Sequence, residues 1–147
     1  MLSISLKILL LRALSKENNM PIFETKPREV SRKFKESTIA IDFDGVVHKY
    51  SQGFKGLYNA YDVPNPGTED ALKELISRGY RLVIVSSRPT KPIIEWLEKH
   101  NLSQYFDDVT NIKIPASYYV DDHAVYFNRK AENPWETVLG IIDRNDS

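Results

Sequence analysis

The period of apolar and polar positions changes several times along the chain, and those changes mark its elements. Ile39-Ala40-Ile41 is a short apolar run without alternation that ends at Asp42. Such a run predicts a strand buried on both faces, as in a parallel sheet. Residues 46–67 then interleave Gly53, Gly56, Pro64, Pro66 and Gly67 with Tyr50, Phe54, Tyr58 and Tyr61, which predicts a flap or hairpin, not a helix. From Thr68 or Glu69 onward, Ala71, Leu72, Leu75 and Ile76 recur on one helical face, and Gly79 is a natural stop. Arg81 to Val85 is a second buried strand, closed by Ser86-Ser87-Arg88-Pro89. Pro92 to His100 predicts a second helix with Ile93, Ile94, Trp96 and Leu97 inward and Asn101 at its end. Val109 to Ile114 is a short extended piece, and Tyr118 to Val120 is a strand that runs straight into Asp121-Asp122. Trp135, Val138, Leu139, Ile141 and Ile142 predict a closing helix, with Trp96 and Trp135 as core residues.

Strands and helices that alternate in this way predict an α/β layered sheet. About seven residues separate Thr110 from Tyr118, too few for a helical crossover between parallel strands. Either an extended loop makes that crossover or the Val109 strand does not exist. At 147 residues the chain has room for one domain and one core. We divide it into a leader and basic arm over 1–37, expected to be flexible, and a folded domain over 38–147 that carries the 46–67 flap. Lys7 and Arg12 interrupt the leader's leucines and isoleucines, and no small-residue cleavage site follows, so a secretory signal fits poorly. Met20 offers a second start, and residues 1–19 are expected to be dispensable.

Composition narrows the function. Hydrophobic residues make up 41% of the chain, which argues against disorder, and no apolar run reaches membrane-spanning length. A cytoplasmic protein with no membrane partner is expected; homo-oligomerisation stays open. Cysteine is absent, which excludes disulfides, thiolate metal sites and cysteine nucleophiles. The formal charge is zero overall, but residues 1–37 are net basic and 38–147 net acidic, so the folded part is no general nucleic-acid surface.

The chemistry gathers at strand ends. Ligands of open α/β sheets bind at the carboxyl ends of the strands. Three predicted strands end there in polar clusters: Asp42 with Asp44, Ser86-Ser87-Arg88, and Asp121-Asp122. One such cluster is an ordinary turn; three at one sheet edge are a coincidence that a site explains better. Four converging carboxylates repel one another unless a proton or a cation compensates them, and all-oxygen ligands suit Mg²⁺. Lys113, just before the last strand, can reach the same edge. Carboxylate, hydroxyl and lysine groups around Mg²⁺ make a phosphoryl-transfer site.

Read together, these motifs resemble the haloacid dehalogenase-like (HAD) phosphohydrolases. DFDGV at Asp42–Val46 is similar to their first motif, LVIVSSR at Leu82–Arg88 to the second, Lys113 to the third-motif lysine, and YVDD at Tyr119–Asp122 to the fourth. The resemblance spans residues 38–123 and is closest to small members without a separate cap domain. It implies a Rossmann-like three-layer α/β sandwich with a mainly parallel sheet. It also implies a Mg²⁺-dependent phosphatase that acts through an aspartyl-phosphate. Asp42 would be the nucleophile and Asp44 the acid–base group. Ser86 would bind phosphoryl oxygens, with Ser87 the lesser choice, and Lys113 would offset charge. Asp42, Asp121, Asp122 and the Asp44 carbonyl would hold Mg²⁺. For Arg88 a substrate phosphate contact and a structural ion pair stand level. His48 and His123 are read as structural rather than substrate-binding, and His100 as a partner of its helix dipole. A phosphorylated small molecule is the expected substrate. Nucleic-acid ends are the first alternative, carried by the basic arm, and a non-catalytic binding protein on the same fold is the second.

Overall fold

The computed structural model describes Ile4 and residues 37–147. The leader and basic arm therefore lie outside the described residues, apart from Ile4 and Ser37. The elements are β1 (Thr38–Ile41), α1 (Thr68–Ser77), β2 (Arg81–Val85), α2 (Thr90–Lys99), a 3-10 turn (Ser103–Tyr105), β3 (Asp108–Thr110), β4 (Tyr118–Val120) and α3 (Pro134–Asn145). The strands form one parallel sheet in the order β3-β2-β1-β4. Ile39 pairs with Leu82 on one side and with Tyr118 on the other. β1 is central and every one of its residues is buried, as its unbroken apolar run predicts.

The short β3–β4 connection is an extended loop, and both strands exist. Seven residues reach about 24 Å when extended. Three inter-strand steps need only about 14 Å, which leaves length for the return along β4.

Both crossover helices end where the sequence stops them. After α1, Gly79 adopts φ 88°; its N–H donates to Ile76 C=O at 2.9 Å, and Tyr80 N–H donates to Leu75 C=O at 3.2 Å. After α2, Asn101 adopts φ 56°, with Asn101 N–H to Glu98 C=O at 3.2 Å and Leu102 N–H to Leu97 C=O at 2.9 Å. Both are Schellman closures that satisfy otherwise orphaned carbonyls. α2 starts two residues earlier than predicted, because Pro92 fits inside a first turn whose N–H groups have no helical partner.

The core joins Ile39, Ile41 and Phe43 to Leu72 of α1, to Ile93, Trp96 and Leu97 of α2, and to Leu82 and Ile84 of β2. Ile4 is buried in the same cluster. On α1 only Leu72 and Leu75 face inward, whereas Ala71 and Ile76 are exposed. The closing helix departs further from expectation. α3 buries no residue, and Trp135 is 67% exposed, so Trp135 is not core. Its ring meets Phe127 edge-on at 5.1 Å. β4, an edge strand, is likewise exposed along its whole length.

The flap has no helix or strand of its own. Its base closes antiparallel, with Lys49 N–H donating to Val63 C=O and Asn65 N–H to Val47 C=O, a hairpin in outline. No helix among the described residues is long and apolar enough to cross a membrane.

Candidate active site

β1 and β4 deliver their carboxylates to one edge. Asp42 follows β1 directly, and its N–H donates to Val120 C=O at 2.8 Å, which extends the ladder one residue beyond the strand. That bond brings the β4 terminus, and hence Asp121 and Asp122, beside Asp42. One carboxylate oxygen from each of Asp42, Asp121 and Asp122 lies within 4.8 Å of the other two. Phe43, between the two aspartates, points into the core and is fully buried.

Gly45 makes the convergence sterically feasible. It sits at φ 83°, and a Cβ there would lie 2.2 Å from Asp122 Oδ2. Only glycine supplies both the left-handed backbone and the space. The electrostatics match. Burial first, and then the charges of Asp121, Asp122 and Asp44, push the Asp42 carboxyl up to about 6, against a bond from the Phe43 backbone. Three hard oxygen donors this close, one of them partly buried, suit a small divalent cation such as Mg²⁺.

Asp44 has different surroundings. His48 Nδ1 lies 2.8 Å from its Oδ1, and Arg88 Nε donates to its Oδ2 at 2.5 Å. Burial alone would raise this carboxyl; the two hydrogen bonds and the nearby positive charge outweigh it and hold Asp44 below the ordinary value. Arg88 is 2% exposed, and its Nη1 donates to Gly56 C=O at 2.7 Å and Leu57 C=O at 2.8 Å. Among the described residues, Nη2 finds no partner. Of the two roles open to Arg88, the structure forms the ion pair.

Ser86 follows β2, its N–H bonded to Thr110 C=O at 3.0 Å. Its hydroxyl oxygen accepts Arg88 N–H at 3.3 Å, which leaves its own proton to donate. Ser87 is exposed. Lys113 is exposed with Nζ 5.4 Å from the Tyr119 ring centroid, and among the described residues it forms no ion pair. Sequence order thus brings Asp42, Asp121 and Asp122 together, with Asp44 and Ser86 at neighbouring strand ends, but it does not bring Lys113 against Asp42.

Several partners of the site were not legible. His48 is fully buried against Asp44, and Asn65 Nδ2 donates to Val46 C=O at 2.8 Å and Gly45 C=O at 3.2 Å, pinning the turn after Asp44. The Asn65 contacts form only when the flap folds back, whereas the turn from Phe43 to His48 closes the four-residue His48–Asp44 contact. The flap aromatics also divide unexpectedly. Tyr50 and Tyr61 pack around His48, while Phe54 and Tyr58 are 66% and 73% exposed at its tip. Phe54 is therefore a rim residue. His123 is exposed 3.6 Å from Asp122, and its N–H donates to Asp121 Oδ1 at 2.8 Å. Burial and then the charges of Lys99 and His48 lower the His100 pKa, which disfavours the cation a helix-dipole partner needs.

A family model described as haloacid dehalogenase-like hydrolase matches residues 5–113. The match stops short of Asp121 and Asp122, whose place beside Asp42 comes from the β1–β4 pairing. No curated protein matches the chain. Among solved structures, a conserved protein from Bacteroides thetaiotaomicron is similar at 23% identity and a TM-score of 0.43, over 75% of this chain and 92% of that one.

Proposed function

This chain belongs to the haloacid dehalogenase-like hydrolase family, and on that premise we propose that it is a Mg²⁺-dependent phosphohydrolase acting through an aspartyl-phosphate on Asp42. The observation that carries the reading is the meeting of Asp42, Asp121 and Asp122 at one sheet edge, with oxygens within 4.8 Å of one another. Those three side chains and the Asp44 carbonyl would hold the cation. Bound there, Mg²⁺ supplies the positive charge that offsets the carboxylates and the phosphoryl oxygens.

The residues then divide the work. An Asp42 carboxylate oxygen attacks phosphorus in line with the leaving oxygen, so that a P–O bond to Asp42 forms as the ester P–O bond breaks. Asp44, at the next position on that side of the chain, is a carboxylate in the free protein; it takes up a proton as the phosphate dianion binds and passes it to the departing oxygen. In the second half it takes a proton from the water that attacks phosphorus, and inorganic phosphate leaves Asp42 as a carboxylate. Ser86 donates its free hydroxyl proton to a phosphoryl oxygen. Lys113 completes the charge balance by leaving the Tyr119 face: an exposed cation–π contact holds it by only about 0.5–1 kcal/mol, less than a charge-assisted bond to phosphate offers.

The test is a panel of phosphorylated metabolites, phosphopeptides and phosphate-ended oligonucleotides, assayed with Mg²⁺ and again with EDTA. We expect hydrolysis that EDTA abolishes and Mg²⁺ restores; full activity in EDTA would remove the metal from the reading. A small phosphate ester is the favoured substrate. Oligonucleotide ends are the alternative, resting on the basic arm outside the described residues, and a steep salt slope would select them. An inert panel would leave a binding role for the fold.

A further inference from the structure

We infer that His48 is a positioning residue: it fixes the Asp44 carboxylate and ties it to the base of the flap, so that the acid–base group and the flap form one rigid unit. The inference rests on the proposed role of Asp44. Nε2 of His48 accepts the Asp62 N–H at 2.9 Å. A ring nitrogen that accepts a backbone N–H carries no proton of its own. The ring proton, assigned from these partners, therefore sits on Nδ1 and is donated to Asp44 at 2.8 Å.

The ring has no freedom to do otherwise. It stacks on Phe43 at 5.1 Å and 15°, meets Tyr61 and Trp96 edge-on at 5.3 and 5.6 Å, and is fully buried. It cannot reach a substrate and acts only through Asp44. Asp62 is itself anchored twice: its carbonyl accepts Trp96 Nε1–H at 2.7 Å, and its carboxylate accepts Ser51 N–H at 2.8 Å. The other Asp44 oxygen is tied through Arg88 to the Gly56 and Leu57 carbonyls at the flap tip. The two oxygens of one carboxylate thus hold the base and the tip of the same flap. Each keeps a second lone pair, and Asp44 stays 22% exposed. Displacing a reacting group by about 1 Å can cost about 10²-fold in rate, so this clamp matters to proton transfer.

The experiment compares kcat/KM, which reports the first half-reaction, for p-nitrophenyl phosphate and phenethyl phosphate in Mg²⁺. The alkyl leaving group needs a proton and the nitrophenolate does not. Asp44→Asn should cost about 10²–10⁴-fold on the alkyl ester and far less on the nitrophenyl ester. His48→Phe keeps the aromatic packing but loses both ring hydrogen bonds, and it should lose about 10²-fold with the same preference. His48→Asn retains a donor at the Nδ1 position and should restore most of the alkyl-ester rate. His48→Gln retains only the acceptor for Asp62 and should follow His48→Phe. Equal losses on both esters in His48→Phe and His48→Gln, beside a selective Asp44→Asn, would overturn the positioning role. An unselective Asp44→Asn would instead sink the acid–base reading. If His48→Phe fails to fold, the His48→Asn and His48→Gln pair decides.

Discussion

Asp42 illustrates what the site asks of a single residue. Its carboxyl is raised from 3.8 to about 6, chiefly by burial and then by its acidic neighbours. A carboxyl raised in the folded state binds its proton more readily there than in the unfolded chain. The stability this contributes is fully present below the unfolded value and is lost as pH rises through about 6. Asp44 and Asp62 are lowered, so their contributions change only below the ordinary carboxylate range. His100, also lowered, acts with the opposite sign at the upper end of the window. Comparison with Asp42→Asn isolates the Asp42 contribution. Without divalent cation, the wild-type Tm should fall relative to that variant between pH 4 and pH 6.5, and a pH-independent difference would count against the electrostatic account. The carboxylates were legible because a strand end is set by local pattern: an apolar run stops at Asp42, and another stops at Asp121. His48 was not, because its full burial and its bond to the Asp62 N–H come only through the closed flap.

At the scale of elements, local chemistry sets where a helix stops, and tertiary packing sets what it buries. Gly79 and Asn101 end α1 and α2 as read, since a left-handed residue after a helix is a local demand. The two tryptophans show the other case. Both sit at helical spacing among aliphatics, yet Trp96 is 3% exposed and Trp135 67%. Periodicity identifies an apolar stripe but not whether another element covers it. Trp96→Ala should therefore cost about 3–5 kcal/mol, with the flap bond to Asp62 lost as well. Trp135→Ala should stay within about 0.5 kcal/mol of wild type. Equal losses in denaturant unfolding would show that α3 is packed in solution.

Across the whole molecule, the parallel sheet follows from the strand–helix alternation, and the β1–β4 pairing assembles the acidic edge. The leader was read as dispensable, yet Ile4 is 4% exposed within the core cluster. Burying an isoleucine is worth about 1.5–3 kcal/mol, so a chain starting at Met20 should unfold at lower denaturant; an unchanged midpoint would make Ile4 incidental. The central claim is that this edge makes a covalent phosphoenzyme on Asp42. Its most direct test is turnover by Asp42→Asn, in Mg²⁺, of a phosphate ester that the wild type hydrolyses. An amide cannot form the aspartyl-phosphate, so the account predicts a loss of about 10⁴-fold or more in kcat, with the variant still folded at pH 7. Near wild-type turnover by that variant would contradict it.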